Sequence, residues 1–329
     1  MTETASPPER PGGDATSVGT VRLGRAVAKA GACSWADRSL ARDGSFYPRR
    51  NMTARERLAF YAERFALAEV TTTYRFPPTR ELCSQWVERT PAGFSLDLRA
   101  WSLLCAAPTL PDSLWPDLRP ALPAERRDRR RLYAGHLPAE VLEECWVRFR
   151  HALEPLVDAG RLGAVLIRYP SWWGPRRETW FELDSLGRRL PGVRIAVELP
   201  ADRWFGRDST EPTLEWLDSR GIGLVCVDGP PRPGSEPGPS LVAATSELAV
   251  VRFVGRHPPD DGGWRRPYSY ARSELEGWLP AVADLASSAS EVHLLFDNCH
   301  RSDALDNART LTELLAAAAG ASGAGGGIT

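Results

Sequence analysis

The chain has 329 residues, with 41 Lys and Arg against 42 Asp and Glu and a formal net charge of −1. That balance excludes a chain-wide electrostatic surface for nucleic acid, so any such contact needs a local patch. No run approaches the ~18 apolar residues of a membrane span, and the six cysteines show neither CxxC nor zinc spacing. The reading is a soluble, cytoplasmic protein with reduced thiols and no membrane partner.

Residues 1–25, rich in Thr, Pro, Glu, Gly and Ser, read as a disordered leader without a signal-peptide core. Eight short apolar segments follow: AVAKAGACSW, LAEVTTTY, GFSLDLRAW, GAVLIRYP, VRIAVELP, GLVCVDG, AVVRFVG and EVHLLFDN. Most meet a polar or charged residue where the apolar run stops, and helix-forming segments separate most of them. This alternation predicts a parallel sheet closed into a single (β/α)8 TIM-type barrel over residues 26–318, with the site at the C-terminal strand ends.

Between the first two strands, Thr53 with Glu56 three residues on predicts a capping box, and Leu58, Tyr61 and Phe65 supply the inner face. The second helix runs from Thr79 to Arg89. Residues 101–138, rich in Pro and Arg, form the longest insertion, of the kind that serves as a lid or stays disordered. Further helices are predicted over Ala139 to Ala159, Glu178 to Leu190 and Ser302 to Ala318. GPPRPGSEPGPS after the sixth strand cannot be helical. A second polar loop, Arg256 to Tyr270, covers the same end of the barrel, and residues 319–329 form a flexible tail.

Glu198 ends an otherwise apolar strand where the barrel opens, a position suited to a general acid or base. Asp228 and Asp297 end strands six and eight and are its candidate carboxylate partners; two carboxylates suit glycosidic-bond cleavage, among hydrolase or isomerase-type reactions. The bland alternatives are a turn role for Asp228 and a structural Glu–Arg pair for Glu198. Arg99, Arg168, Arg252 and Arg256 predict a small anionic ligand, unless each is neutralised by Glu198, Asp228 and Asp297. Trp35 and Tyr74 belong to a set of rim aromatics, with Trp101, Tyr169, Trp172, Trp173 and Trp204, that would stack on a planar or sugar ring. Asn298 and His300 follow strand eight as further ligand contacts, and His257 follows strand seven.

A metal site can be drawn from these carboxylates and histidines, but no HxH or HExxH pattern supports it, so no metal and no cofactor is predicted. Cys33 and Cys299 fall on neighbouring strands at the same end, where a thiol pair is conceivable and plain burial more usual. RRDRRR at Arg126 to Arg131 is a local patch for a second reading, a nucleic-acid-binding or repair-related barrel; its ordinary explanation is a solvated face.

In order and spacing, GACSW at Gly31 to Trp35, FYP at Phe46 to Pro48, TTTY ending at Tyr74, WVERTPAGF at Trp86 to Phe94 and SLL at Ser102 to Leu104 form a set. AVELPADRW at Ala196 to Trp204, VRFVGR at Val251 to Arg256 and DNCHRSDALDNA at Asp297 to Ala308 complete it. Together they resemble the YecE-like proteins, domain-of-unknown-function family 72, from about Ala28 to Leu315. The resemblance implies a TIM-type barrel and places its site, without naming a reaction. Against the pattern of that family, Thr71 stands for Asn or Asp, Arg99 for Lys, Ala107 for a nearby His and Arg168 for Gln. Pro200 and Ala201 stand for Arg-His, Val254 for His and Asp297 for Asn. These departures open a third reading, a catalytically degraded barrel kept for ligand or partner binding.

Overall fold

A computed structural model describes residues 19–127, 129–230, 241–258 and 267–324. Nine strands form one sheet: β1 (Thr20–Leu23), β2 (Ala26–Ala32), β3 (Leu67–Val70), β4 (Ser95–Arg99), β5 (Leu162–Arg168), β6 (Ile195–Glu198), β7 (Gly223–Asp228), β8 (Leu248–Phe253) and β9 (Glu291–Phe296). Strands β2 to β9 pair in parallel in chain order, and β2 pairs with β9, so the eight close into the expected (β/α)8 TIM-type barrel.

β1 is antiparallel to β2, pairing Thr20 with Lys29 and Leu23 with Ala26. β3 meets β2 only at Gly31 and Ala32, so β1 occupies the length of β2 that β3 does not reach. Residues 20–23 therefore belong to the sheet rather than to a leader ending at 25, because an unpaired stretch of β2 would leave backbone groups exposed. Residues 1–18 lie outside the described residues. At the other end the last helix spans Asp303–Ala324 and takes in residues assigned to the tail from 319; its alanines favour continuing the helix.

The box at Thr53 forms: Thr53 Oγ1 accepts from the Glu56 amide at 3.2 Å and Glu56 Oε2 accepts from the Thr53 amide at 2.7 Å. The helix it starts, Ala54–Ala62, buries Leu58 and Tyr61; Phe65 is buried just beyond its end. Helices Arg80–Glu88, Ala139–Asp158 and Arg177–Arg189 follow at the expected places. The insertion after β4 is held by buried Trp101, Leu103, Leu104, Leu114, Leu122 and Leu132, with short 3-10 turns and a bridge between Thr109 and Leu132. Its apolar contacts make it part of the packed body.

Alternation along the strands sorts the barrel interior into levels. Leu67, Ala164, Leu166, Ala196, Val225, Val250 and Leu295 belong to an apolar middle cluster. One pleat toward the C-terminal ends lie Cys33, Glu69, Arg99, Arg168, Glu198, Arg252 and Asp297. Toward the N-terminal ends lie the inward-facing Lys29, Ser95, Asp97, Glu291 and His293.

Candidate functional site

Glu69 is the hub of the upper level. It is fully buried on β3, and its Oε1 lies 2.8 Å from Arg99 Nε while its Oε2 lies 2.6 Å from Arg252 Nη1. The Cys33 thiol donates to the same Oε2 at 2.9 Å. Burial alone would raise the Glu69 pKa, but Arg252 and Arg99 outweigh it and hold the carboxyl down at about 2.

Glu198 Oε1 lies 2.8 Å from Arg168 Nε, and its Oε2 is 3.0 Å from Arg252 Nε. The second contact is an ion pair without hydrogen-bond alignment, leaving Glu198 Oε2 and Arg252 Nε unsatisfied. Asp297 closes the ring at 3.7 Å from both Arg99 Nη2 and Arg252 Nη1; Arg99 Nη2 likewise has no hydrogen-bond partner. Three guanidinium groups thus face three carboxylates, Glu69, Glu198 and Asp297. Burial acts to raise the Glu198 pKa, yet Arg168 and Arg252 carry it below the ordinary carboxylate value. The shift favours the ionised form, the state a base requires.

Arg252 is 1% exposed and Arg168 41%, so Arg168 forms the solvent-facing side of the ring. Tyr74 joins it half-buried: burial raises its phenol pKa against the opposing charges of Arg168 and Arg99.

Other candidates lie elsewhere. Asp228 follows the outward parity of β7 and is buried against the surrounding shell. Its two oxygens accept from Arg256 Nε and Nη2, the Tyr270 hydroxyl and Trp278 Nε1 at 2.7–3.0 Å. Four donors saturate it, so it is not a partner for Glu198, and Arg256, shared between Asp228 and Glu274, is not in the mouth. Asn298 is turned outward, donating to the Tyr268 carbonyl and to Asn307 Oδ1. His300 pairs locally with Asp303 at 3.1 Å. Trp35 is buried, donates to the Ala54 carbonyl and meets Trp86 edge-on, so its ring is not open to a ligand.

Among the other aromatics, Tyr169, Trp173 and Trp204 stack in sequence and Trp101 is fully buried, whereas Trp172 is exposed. Cys33 belongs to the inner cluster and Cys299 packs against it. Burial, then the charge of Glu69, pushes the Cys33 thiol up, which keeps it protonated. Among the described residues, no group of three or more His, Cys, Asp or Glu is arranged to hold a metal ion.

Glu69 is absent from the residues singled out by strand-end position, and its one signal along the chain is a lone carboxylate inside the apolar run LAEV. Asp97 and His293 are set in SLDL and EVHLL in the same way. A charge in the middle of a barrel strand is costly unless it is paired, so each marks an interior polar network.

Residues 29–324 match the family model described as protein of unknown function DUF72. The chain belongs to this family. It is 27% identical over 297 residues to the UPF0759 protein YunF of Bacillus subtilis (strain 168), covering 87% of this chain and 93% of that one. A solved DUF72 structure from Enterococcus faecalis V583 superposes with a TM-score of 0.68 at 23% identity, covering 88% of this chain and 95% of the other. A second, from Thermotoga maritima MSB8, gives 0.64 at 22%, covering 88% and 98%. Both similarities speak to the fold of this DUF72 protein. No helix among its described residues is long and apolar enough to cross a membrane.

Proposed function

We propose that the mouth of this DUF72 barrel binds a small sugar-like substrate and transfers a proton within it, an isomerase-type reaction with Glu198 as the base. The observation that supports the reading is the set of imperfectly satisfied polar atoms in the ring: Arg99 Nη2 and Arg252 Nε as donors, Glu198 Oε2 as acceptor. Hydroxyl and carbonyl oxygens of a hydroxy-aldehyde or hydroxy-ketone complement such a set, because a hydroxyl both donates and accepts. The balance of three positive against three negative groups disfavours a strongly anionic ligand here.

Cleavage of a glycosidic bond by two carboxylates needs one with a raised pKa. Glu69 and Glu198 are both shifted downward, which argues against that chemistry. Proton abstraction beside a carbonyl needs an ionised base and a cation for the developing oxyanion. In that step the C–H proton passes to Glu198, the C–H pair becomes the C=C bond of an enediolate, and the carbonyl π pair moves to the oxygen beside Arg252 and Arg99. The proton of the neighbouring hydroxyl then passes to that alkoxide oxygen, the new carbonyl forms where the hydroxyl stood, and Glu198 returns its proton to the former carbonyl carbon and is ionised again. Access to the inner atoms requires Arg168, the most exposed of the ring, to swing aside.

The test is deuterium uptake from D2O at the carbon beside the carbonyl of aldoses and ketoses, followed by proton NMR. Uptake is expected for at least one sugar, falling about 10²–10⁴-fold in Glu198→Gln. Absence of uptake from every sugar, or uptake undiminished in that variant, overturns the proposal. The low pKa of Glu198 makes it a weak base, and this favours one second reading, a ligand-binding barrel without turnover. Its mark is sugar binding by calorimetry with no deuterium uptake.

A further inference from the structure

The loop and helices between β2 and β3 form a separate pocket of about 360 Å3, lined by Ala36, Arg38, Ala41, Arg42, Arg50 and Arg57. Among the described residues, none of these four arginines has a carboxylate within ion-pair distance. The carboxylates nearest in sequence are committed elsewhere. Asp37 caps the helix Arg38–Asp43 through the Ser39 and Leu40 amides, and Asp43 lies 3.8 Å from Arg301. Glu56 serves the Thr53 cap and Arg49.

Arg57 is held in place rather than waving in solvent. Its Nη2 donates to the Arg50 carbonyl at 3.0 Å and its guanidinium lies 5.6 Å from the Tyr47 ring centroid, while its Nε is buried without a partner. At several other places arginines meet carboxylates. Arg148 meets Asp117 and Glu144, Arg189 meets Glu143 and Glu182, and the mouth matches three against three. Four guanidinium groups gathered without a counter-charge repel one another, and an anion relieves that repulsion.

We propose that this pocket binds a small ligand carrying two adjacent phosphoryl groups, a diphosphate such as inorganic pyrophosphate or the tail of a nucleoside diphosphate. Guanidinium is suited to bidentate contact with phosphate oxygens. Two such groups cover the free oxygens of one phosphoryl group, so four match a pair. The volume sits at the small end of the roughly 300–1,000 Å3 typical of small-molecule sites, which suits a compact ligand. The site is distinct from the mouth and independent of the chemistry assigned to Glu198.

The experiment is titration calorimetry of the full chain with pyrophosphate, orthophosphate and a short single-stranded oligonucleotide at fixed ionic strength. Arg42 and Arg50 are exposed, so the double variant Arg42→Gln/Arg50→Gln should keep the wild-type melting midpoint. Pyrophosphate is expected to bind one to one and at least about ten-fold more tightly than orthophosphate, with affinity falling about ten-fold or more in the double variant. Arg272→Gln, an exposed arginine paired with Glu276, and Glu198→Gln should leave binding unchanged. No heat with pyrophosphate, equal affinity for the two anions, or equal loss in Arg272→Gln would overturn the proposal. Tighter binding of the oligonucleotide, competing with pyrophosphate, would overturn it in favour of a nucleic-acid surface. Loss of binding in Glu198→Gln would move the site to the mouth and overturn it as well.

Discussion

Arg252 serves structure before it serves any ligand. It is buried and engages Glu69 and Glu198 directly, so its removal takes one guanidinium partner from each of two carboxylates in the barrel interior, leaving Glu69 to Arg99 and Glu198 to Arg168. Breaking a buried pair from one side typically costs about 3–5 kcal/mol. Arg252→Ala is expected to lose that much stability by urea denaturation, and a loss below about 1 kcal/mol would contradict the hub role of Glu69. Arg168, with its partial exposure and single carboxylate partner, should tolerate the same change far better, since screened pairs contribute about 0–1 kcal/mol. The contrast separates the residue that holds the ring from the one that faces solvent.

At the scale of elements, the lower level depends on an irregularity between β4 and β5. Leu96 pairs with Leu162 and Asp97 with Ala164, so Gly163 is passed over in the ladder. The Asp97 carboxylate fills the space: a Cβ on Gly163 would lie 2.2 Å from Asp97 Oδ1 and 3.0 Å from His293 Cε1. Gly163→Ala is therefore expected to destabilise by about 1–3 kcal/mol, the usual cost of overpacking. Gly187→Ala, in the helix Arg177–Arg189 with open space around it, should instead be stabilising by up to about 1 kcal/mol. Paired thermal melts would check both, and a silent Gly163→Ala would mean that Asp97 is not held where the bulge places it.

For the whole molecule, His293 in the lower level and Glu69 in the upper impose opposite dependences on pH. His293 Nδ1 lies 2.8 Å from Asp97 Oδ2 and its Nε2 lies 3.0 Å from Glu291 Oε1, and an imidazole with a carboxylate at each nitrogen satisfies both only as the cation. Burial opposes that charge, but Asp97 and then Glu291 prevail and raise the pKa above the ordinary 6.5. The stability from His293 is thus complete below pH 6.5 and is lost as pH rises through its folded value. Glu69 behaves in reverse: its contribution is present above the ordinary 4.5 and lost as pH falls toward about 2. Maximum stability is expected between pH 4.5 and 6.5, bounded by these ordinary values. Denaturation midpoints across pH would show it, and His293→Gln should flatten the alkaline side. An unchanged alkaline slope in that variant would remove His293 as its source.

The barrel was legible in the chain because each of the eight parallel strands keeps an apolar run bounded by turn chemistry, a local property that needs no neighbour. The same local logic revealed the Thr53 cap and pointed to Glu198, Arg99, Arg168, Arg252 and Asp297 as polar residues at strand ends. Which of the candidates share one space was not local. Asp228 and Glu198 look alike along the chain, yet the pleat sends one outward to Arg256, Tyr270 and Trp278 and the other inward to Arg168 and Arg252. Glu69 was hidden because its partners lie 30 and 183 residues away in sequence. The pattern of apolar residues determined the fold through burial, which each segment encodes for itself. The charge pairing that sets the chemistry of the mouth was decided only when closure of the barrel brought β3, β4, β5, β6, β8 and β9 around one axis.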